Sequence, residues 1–249
     1  MAKLGGILKI EGTLENMTFY KTKDGHLVRT KGGVSKERIQ NDPAFVRTRE
    51  NGSEFGAAAS SGKLLRISVR NLLMRAKDGR VASRLTQAMT KIKNLDTTSA
   101  RGERKVSIGL NTVEGKEILK GFNFNNKAII GSVLFAPYAI DTATGQVTLT
   151  DLNPMNDIAY PSGATHVSLT SAFAKIDFET GENSIEISPA VNLPIDSTVA
   201  TQTLVPPAVP AGTGVDVMLL LIEFFQEVNG SQYILKNGSY NVLSILEIA

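Results

Sequence analysis

The sequence predicts an α+β protein: an N-terminal β-hairpin with amphipathic helices, then a C-terminal antiparallel β-sandwich of Ig-like or jelly-roll-like type. Three observations predict it. Apolar residues recur at helical spacing through the first half, short β-prone runs divided by turn residues fill the second, and charge is split between them. Residues 1–120 hold 24 Lys/Arg against 12 Asp/Glu, whereas 121–249 hold 3 against 12. The expected organisation is a basic domain over 1–120 and an acidic domain over 121–249.

The first elements read as strands. A run from Ile7 to Ile10 leads to Gly12-Thr13-Leu14, and Met17-Thr18-Phe19-Tyr20 and His26-Leu27-Val28-Arg29 flank Lys23-Asp24-Gly25. Asp-Gly between β-prone runs is a hairpin signal, because glycine accepts the positive φ of a tight turn. Residues 31–40 read as a polar connection. Asn41-Asp42-Pro43 then offers an N-cap with proline in the first helical turn, so a helix is expected from about Pro43. Its small residues Gly52, Gly56 and Ala57-Ala58-Ala59 suggest close packing against a neighbour, with a break near Ser60-Ser61-Gly62.

From Lys63 onward Leu65, Val69, Leu72 and Ala76 share one helical face, and Lys63, Arg66, Arg70 and Lys77 lie on another. After Asp78-Gly79 the pattern repeats. Val81, Leu85, Ala88 or Met89, Ile92 and Leu95 form the apolar stripe, and Arg80, Arg84, Gln87 and Lys91 the polar one. Two such helices joined by a short turn are expected to pair as a hairpin. The charged stretch 97–105 reads as a mobile connection, and a short helix is expected over 113–120.

Beyond Gly121 lie eight of the nine prolines and β-prone runs at 128–133, 146–149, 166–169, 184–187, 215–223, 233–235 and 242–248. Two segments, after Ile140 and Ile176, share the form Ile-Asp-x-x-Thr-Gly, which reads as one hairpin turn used twice.

The chemistry is sparse. There are no cysteines, which removes disulfides, thiol catalysis and thiolate metal sites. The histidines are two, His26 and His166, and His166 reads as a surface or packed residue at a strand start. The stretch 56–63 has five residues between its glycines where a phosphate loop has four, and Leu64 stands where Ser/Thr would hold magnesium. It reads as helix. Asp177, Glu179, Glu182 and Asn183 gather oxygens suited to calcium, but at a spacing that matches no calcium loop, so they read as a solvated hairpin tip. No catalytic residues, metal or cofactor are expected, and a hydrolytic activity rests on sandwich architecture alone.

The start lacks the apolar core of a secretory signal, and the longest apolar run, 217–222, is far short of the roughly 18 residues of a membrane span. The expectation is a protein made in the cytoplasm, without a membrane span.

Residues 17–73 resemble a family of uncharacterised proteins found in flavobacterial and related Bacteroidota genomes. The blocks Thr18-Phe19-Tyr20-Lys21, Lys31-Gly32-Gly33-Val34-Ser35, Asn41-Asp42-Pro43-Ala44-Phe45 and Arg47-Thr48-Arg49-Glu50-Asn51 carry the resemblance. In the acidic half, 224–230 and Tyr240-Asn241 look like the same family. The resemblance implies no catalytic residues and no activity.

Between residues 31 and 105 the balance is 17 basic to 7 acidic, with arginine outnumbering lysine. That favours an interaction surface, with Lys63, Arg66, Arg70, Lys77, Arg80, Arg84 and Lys91 as the candidate contacts. Two functions are compatible. The first is a self-assembling structural subunit of a phage-like particle (virion capsid), tube or filament, whose oppositely charged halves meet between copies. The second is a DNA- or RNA-binding protein using the basic helical hairpin.

Overall fold

The computed structural model describes residues 2–3, 10–30, 32–235 and 238–249. Most of the strand expected from Ile7 lies outside them, as does Lys31. The chain divides into two compact units, Met1–Arg49 and Glu50–Ala249. This corrects the expected boundary at 120/121, because the helices after Glu50 share a hydrophobic core with strands of the acidic half.

The first unit is a small antiparallel sheet of order β1-β4-β3-β2, built from β1 (Ala2–Lys3), β2 (Gly12–Leu14), β3 (Met17–Thr22) and β4 (Gly25–Thr30). The β3–β4 hairpin closes at Thr22↔Gly25, and Gly25 takes φ 111°. Helix α1 (Lys36–Asn41) follows, in place of the polar connection expected there. Its register starts at Ser35, whose hydroxyl accepts from the Arg38 N–H. Asp42 caps a 3₁₀ turn, Pro43–Phe45, by accepting from the Ala44 N–H.

Helix α2 (Val46–Ser68) runs without interruption through Ser60-Ser61-Gly62. The expected break fails because Gly62, without a side chain, fits against Leu85 of the neighbouring helix, and tertiary packing overrides its low helix propensity. The helix ends instead at Val69, and α3 (Arg70–Leu73) carries the turn forward. Helix α4 (Val81–Lys93) packs antiparallel to α2, with Gly62 at Leu85 and Glu54 at Lys93. Leu65, Val69, Leu72, Ala76, Val81, Leu85, Met89 and Ile92 are all buried, so the helical hairpin forms on the predicted stripe; Ala88 and Leu95 are half-buried.

The charged stretch 97–105 is pinned rather than loose. The buried Asp96 carboxylate accepts from the backbone N–H groups of Thr98, Ser99 and Lys105, and Gly102 N–H donates to Glu54. Two short helices follow, α5 (Val106–Gly109) and α6 (Val113–Leu119), the latter capped by Thr112. They fit because Gly109 and Gly115 lack side chains: a Cβ on Gly109 would sit 2.1 Å from the Ile92 carbonyl oxygen, and one on Gly115 2.0 Å from that of Gly109.

The β half is a sandwich. The expected strand at 128–133 is instead α7 (Ile130–Val133). Next come β5 (Tyr138–Asp141) and β6 (Gln146–Leu152), then α8 (Pro154–Asp157), capped by Asn153. The long β7 (His166–Ile176) is followed by β8 (Asn183–Ile187), β9 (Val191–Pro194), β10 (Ala200–Leu204), β11 (Val215–Val228), β12 (Ser231–Leu235) and β13 (Val242–Ile248). The larger sheet centres on β7 paired with β11; β8 and β9 line the outer side of β7, and β12 and β13 that of β11. The smaller sheet has the order β10-β6-β5.

The larger sheet is covered on both faces. Val217, Leu219 and Leu221 pack with the helices, whereas Leu220, Ile222 and Phe224 pack with Val147, Leu149 and Leu204 of the smaller sheet. Burial on both faces explains why 217–222 is continuously apolar instead of alternating. The two Ile-Asp-x-x-Thr-Gly turns adopt one geometry: Gly145 N–H donates to the Asp141 carbonyl and Gly181 N–H to that of Asp177, with φ 72° and 84°.

Candidate interaction surfaces

The basic residues singled out in the sequence divide into exposed ones and ones engaged by the fold. Lys63, Arg70, Lys77, Arg80 and Lys91 are exposed. Arg66 is half-buried and its Nε donates to the Gly62 carbonyl. Arg84 is not a surface cation. Its guanidinium donates to the carbonyls of Asn123 and Phe124, pairs with Asp78 at 2.5 Å and lies 5.1 Å from the centre of the Phe122 ring. It is a tie between α4 and the chain that enters the sandwich, and its place as a contact candidate is corrected. Lys63, Arg66 and Arg70 follow one another along α2 into α3, Lys77 and Arg80 occupy the turn to α4, and Lys91 borders a shallow apolar groove with Phe55 and Ala82.

The opposite charges of the two halves meet within one chain. Arg75 pairs with the buried Glu223 of β11, its Nε donating to Oε1 at 2.8 Å. Burial pushes the Glu223 carboxyl up despite the opposing pull of Arg75. Lys105 reaches Glu179 at 2.5 Å, and the Ser107 hydroxyl donates to the same carboxylate. Lys120 reaches Glu247 at 2.9 Å. Part of the charge polarity is therefore spent on closing the second unit, and sequence reasoning missed these pairs because each joins residues more than 70 positions apart.

The acidic hairpin tip is likewise occupied. Asp177 accepts from the backbone N–H groups of Glu179 and Thr180 and from the Thr213 hydroxyl, which hold its carboxyl below the ordinary range. Among the described residues no group of three possible ligands is placed to hold a metal ion. His166 bonds to the Thr165 hydroxyl at 3.0 Å and lies 3.6 Å from Glu227. Among the described residues no helix is long and apolar enough to cross a membrane.

Two further surfaces emerge. In the first unit, directly opposed residues share a sheet face. Leu14, Met17, Phe19 and Val28 fall on one face, with Thr30, Lys21 and His26, through the pairs Leu14↔Met17, Phe19↔Val28, Met17↔Thr30 and Lys21↔His26; Thr13, Thr18, Tyr20, Leu27 and Arg29 fall on the other. None of the described residues of this unit is buried, and Leu14 and Met17 are 61% and 46% exposed.

The other surface is β12. Among the described residues it pairs with β11 alone, and Tyr233 and Ile234, 60% and 51% exposed, point to opposite faces. The Asn229-Gly230 turn that projects it, with φ of 52° and 74°, is the sequence signal that marks this hairpin.

Comparison with family models, curated proteins and solved structures gives no match.

Proposed function

We propose that the chain is a non-enzymatic, self-assembling structural subunit of a phage-like particle, tube or filament. The observation that carries this reading is the N-terminal sheet, none of whose described residues is fully buried. A small sheet needs a packed hydrophobic face for stability, and Leu14, Met17, Phe19 and Val28 have the pattern of such a face without a buried residue among those described. Contact with another copy supplies the missing cover. Charge adds a weaker bias, because the first unit carries ten Lys/Arg against five Asp/Glu and two such units repel, whereas the second, with 17 against 19, does not repel it. Light scattering and negative-stain microscopy of the purified chain, in low and moderate salt, test this. Particles or filaments are expected; a monomer at high concentration in both salts rules the reading out.

A second reading is favoured by a separate observation: Lys63 and Arg70 are exposed, one helical stretch apart, and among the described residues neither has an acidic partner of the kind that holds Arg75, Arg84 or Lys93. Such cations suit DNA or RNA phosphates. The test is binding to mixed-sequence DNA and RNA at low salt, with affinity expected to fall steeply as salt rises. Absence of low-salt binding removes this reading and leaves the first intact.

A further inference from the structure

Resting on the nucleic-acid reading, we propose that the groove beside Phe55 on the helical hairpin is a single-strand site, where an unpaired base stacks on the Phe55 ring and the adjoining phosphates meet a row of cations. Charge selects the partner, and it does so locally. The second unit as a whole is near balance, with 17 Lys/Arg against 19 Asp/Glu. Residues 55–95, however, hold nine Lys/Arg and one acid, Asp78. The fold neutralises three of those cations, pairing Arg75 with Glu223, Arg84 with Asp78 and Lys93 with Glu54. Among the described residues no ion pair engages the other six, Lys63, Arg66, Arg70, Lys77, Arg80 and Lys91, so the hairpin attracts a polyanion.

Geometry selects the place. Phe55, Ala59, Lys63, Arg66 and Arg70 follow one another at spacings of 4, 4, 3 and 4, which puts one ring and three cations in a row along α2 and into α3. None of the five is fully buried, and Phe55 is 59% exposed. Lys63 stands two turns, about 12 Å, beyond the ring. Across from Phe55, α4 forms the other wall of a groove of about 610 Å³, with Lys91 at its border. The hydroxyls of Ser83, Thr86 and Thr90 in that wall donate back to the carbonyls of Arg80, Ala82 and Thr86, so they make no polar demand on an occupant.

A nucleobase supplies what this groove takes: a flat face for the ring, with phosphates on either side for the cations. In a duplex that face is covered by neighbouring base pairs, so the site favours single strands, and stacking makes it tolerant of sequence. An acidic helix would instead need several apolar anchors in the groove. Among the described lining residues Phe55 is the one large apolar side chain.

The test uses the full chain at low salt with fluorescently labelled oligonucleotides of about 12 nucleotides and mixed sequence, as single-stranded DNA, single-stranded RNA and duplex DNA. Single strands are expected to bind at least ~5-fold more tightly than the duplex. Phe55→Ala, checked for an unchanged thermal melt, is expected to weaken single-strand binding at least ~5-fold, the loss of one base–aromatic stack, and to change duplex binding less than ~2-fold. Its salt dependence should equal that of wild type, because no charge is removed. The chain has no tryptophan, so Phe55→Trp supplies a single indole signal. Single strands are expected to quench it, and an abasic strand of the same length and charge is not.

Undiminished single-strand binding by Phe55→Ala, tighter binding of the duplex, or equal quenching by the abasic strand overturns the stacking site while leaving the nucleic-acid reading standing. Tighter binding of a polyglutamate peptide of equal charge overturns it in favour of an acidic protein partner. A wild-type chain that binds no oligonucleotide at low salt overturns both.

Discussion

Lys93, the last residue of α4, donates to the carboxylate of Glu54 in the middle of α2, and both side chains are buried. The same carboxylate accepts from Gly102 N–H and lies 4.0 Å from Arg104, and these partners, Lys93 foremost, hold the Glu54 carboxyl below its ordinary range. Removing one member strands a buried charge. Lys93→Met is expected to cost about 3 kcal/mol of stability, and the double variant Glu54→Gln/Lys93→Met less than the sum of the two single losses. Urea unfolding of the four proteins measures the coupling.

Acid is expected to weaken the second unit in a defined window. Asp96 is desolvated, which alone raises its pKa, but the hydrogen bonds from Ser99, Lys105 and Thr98 outweigh that and hold it well below the usual carboxylate range. Asp78 is lowered in the same way by Asn126, Arg80 and Arg84. With Glu54, these groups contribute stability that is present above the ordinary values of 3.8 and 4.5 and is lost as pH falls through the depressed ones. The urea midpoint should therefore drop steeply below about pH 4, and less steeply in Asp96→Asn.

Glu223 runs the other way. Its pKa is raised, so the folded state holds the proton more tightly than the unfolded chain, and the group opposes folding as pH rises above the ordinary 4.5. Between pH 4.5 and neutrality, wild type is expected to lose stability relative to Glu223→Gln, as read from urea midpoints at successive pH values.

Glycines separate by what surrounds them. Gly115→Ala puts a methyl group against a backbone carbonyl that cannot move without displacing α5, and a loss of about 3 kcal/mol is expected. Gly56 stands mid-helix with nothing near it, so Gly56→Ala should gain up to about 1 kcal/mol. Thermal melts of both variants decide; a neutral Gly115→Ala contradicts the close approach of α5 and α6.

For the nucleic-acid reading, Lys63→Gln and Arg70→Gln should each lower the salt dependence of binding by about one counterion and weaken all sequences alike. Arg84→Gln should instead lower stability, because that guanidinium is spent on Asp78 and two backbone carbonyls.

Local signals were legible where one element suffices to state them. The stripe Leu65, Val69, Leu72, Ala76 predicted a buried helix face because helical period alone puts those residues together. The strand at 242–248 was legible from β-prone composition, and the twin Asp-to-Gly turns from their spacing. What failed depended on partners distant in sequence. Ser60-Ser61-Gly62 looks like a helix break until α4 arrives against Gly62, and 97–105 looks loose until the carboxylates of Glu54 and Asp96 collect its N–H groups. Among the candidate cations, only the tertiary fold distinguishes exposed Lys63 from engaged Arg84, since both sit on polar helix faces.

Strand β13 has its own consequence for biosynthesis. Leu243, Ile245 and Ile248 complete the core beneath the helices, and Val242 and Leu246 complete the core between the sheets. A nascent chain that has emerged only as far as Tyr240 has neither core closed, and it displays the apolar strand β11 with one flank unpaired. Such long-range pairing is slow. Neither core of the second unit can close before β13 has been made, and until then the β11 flank is an exposed apolar edge of the kind chaperones protect.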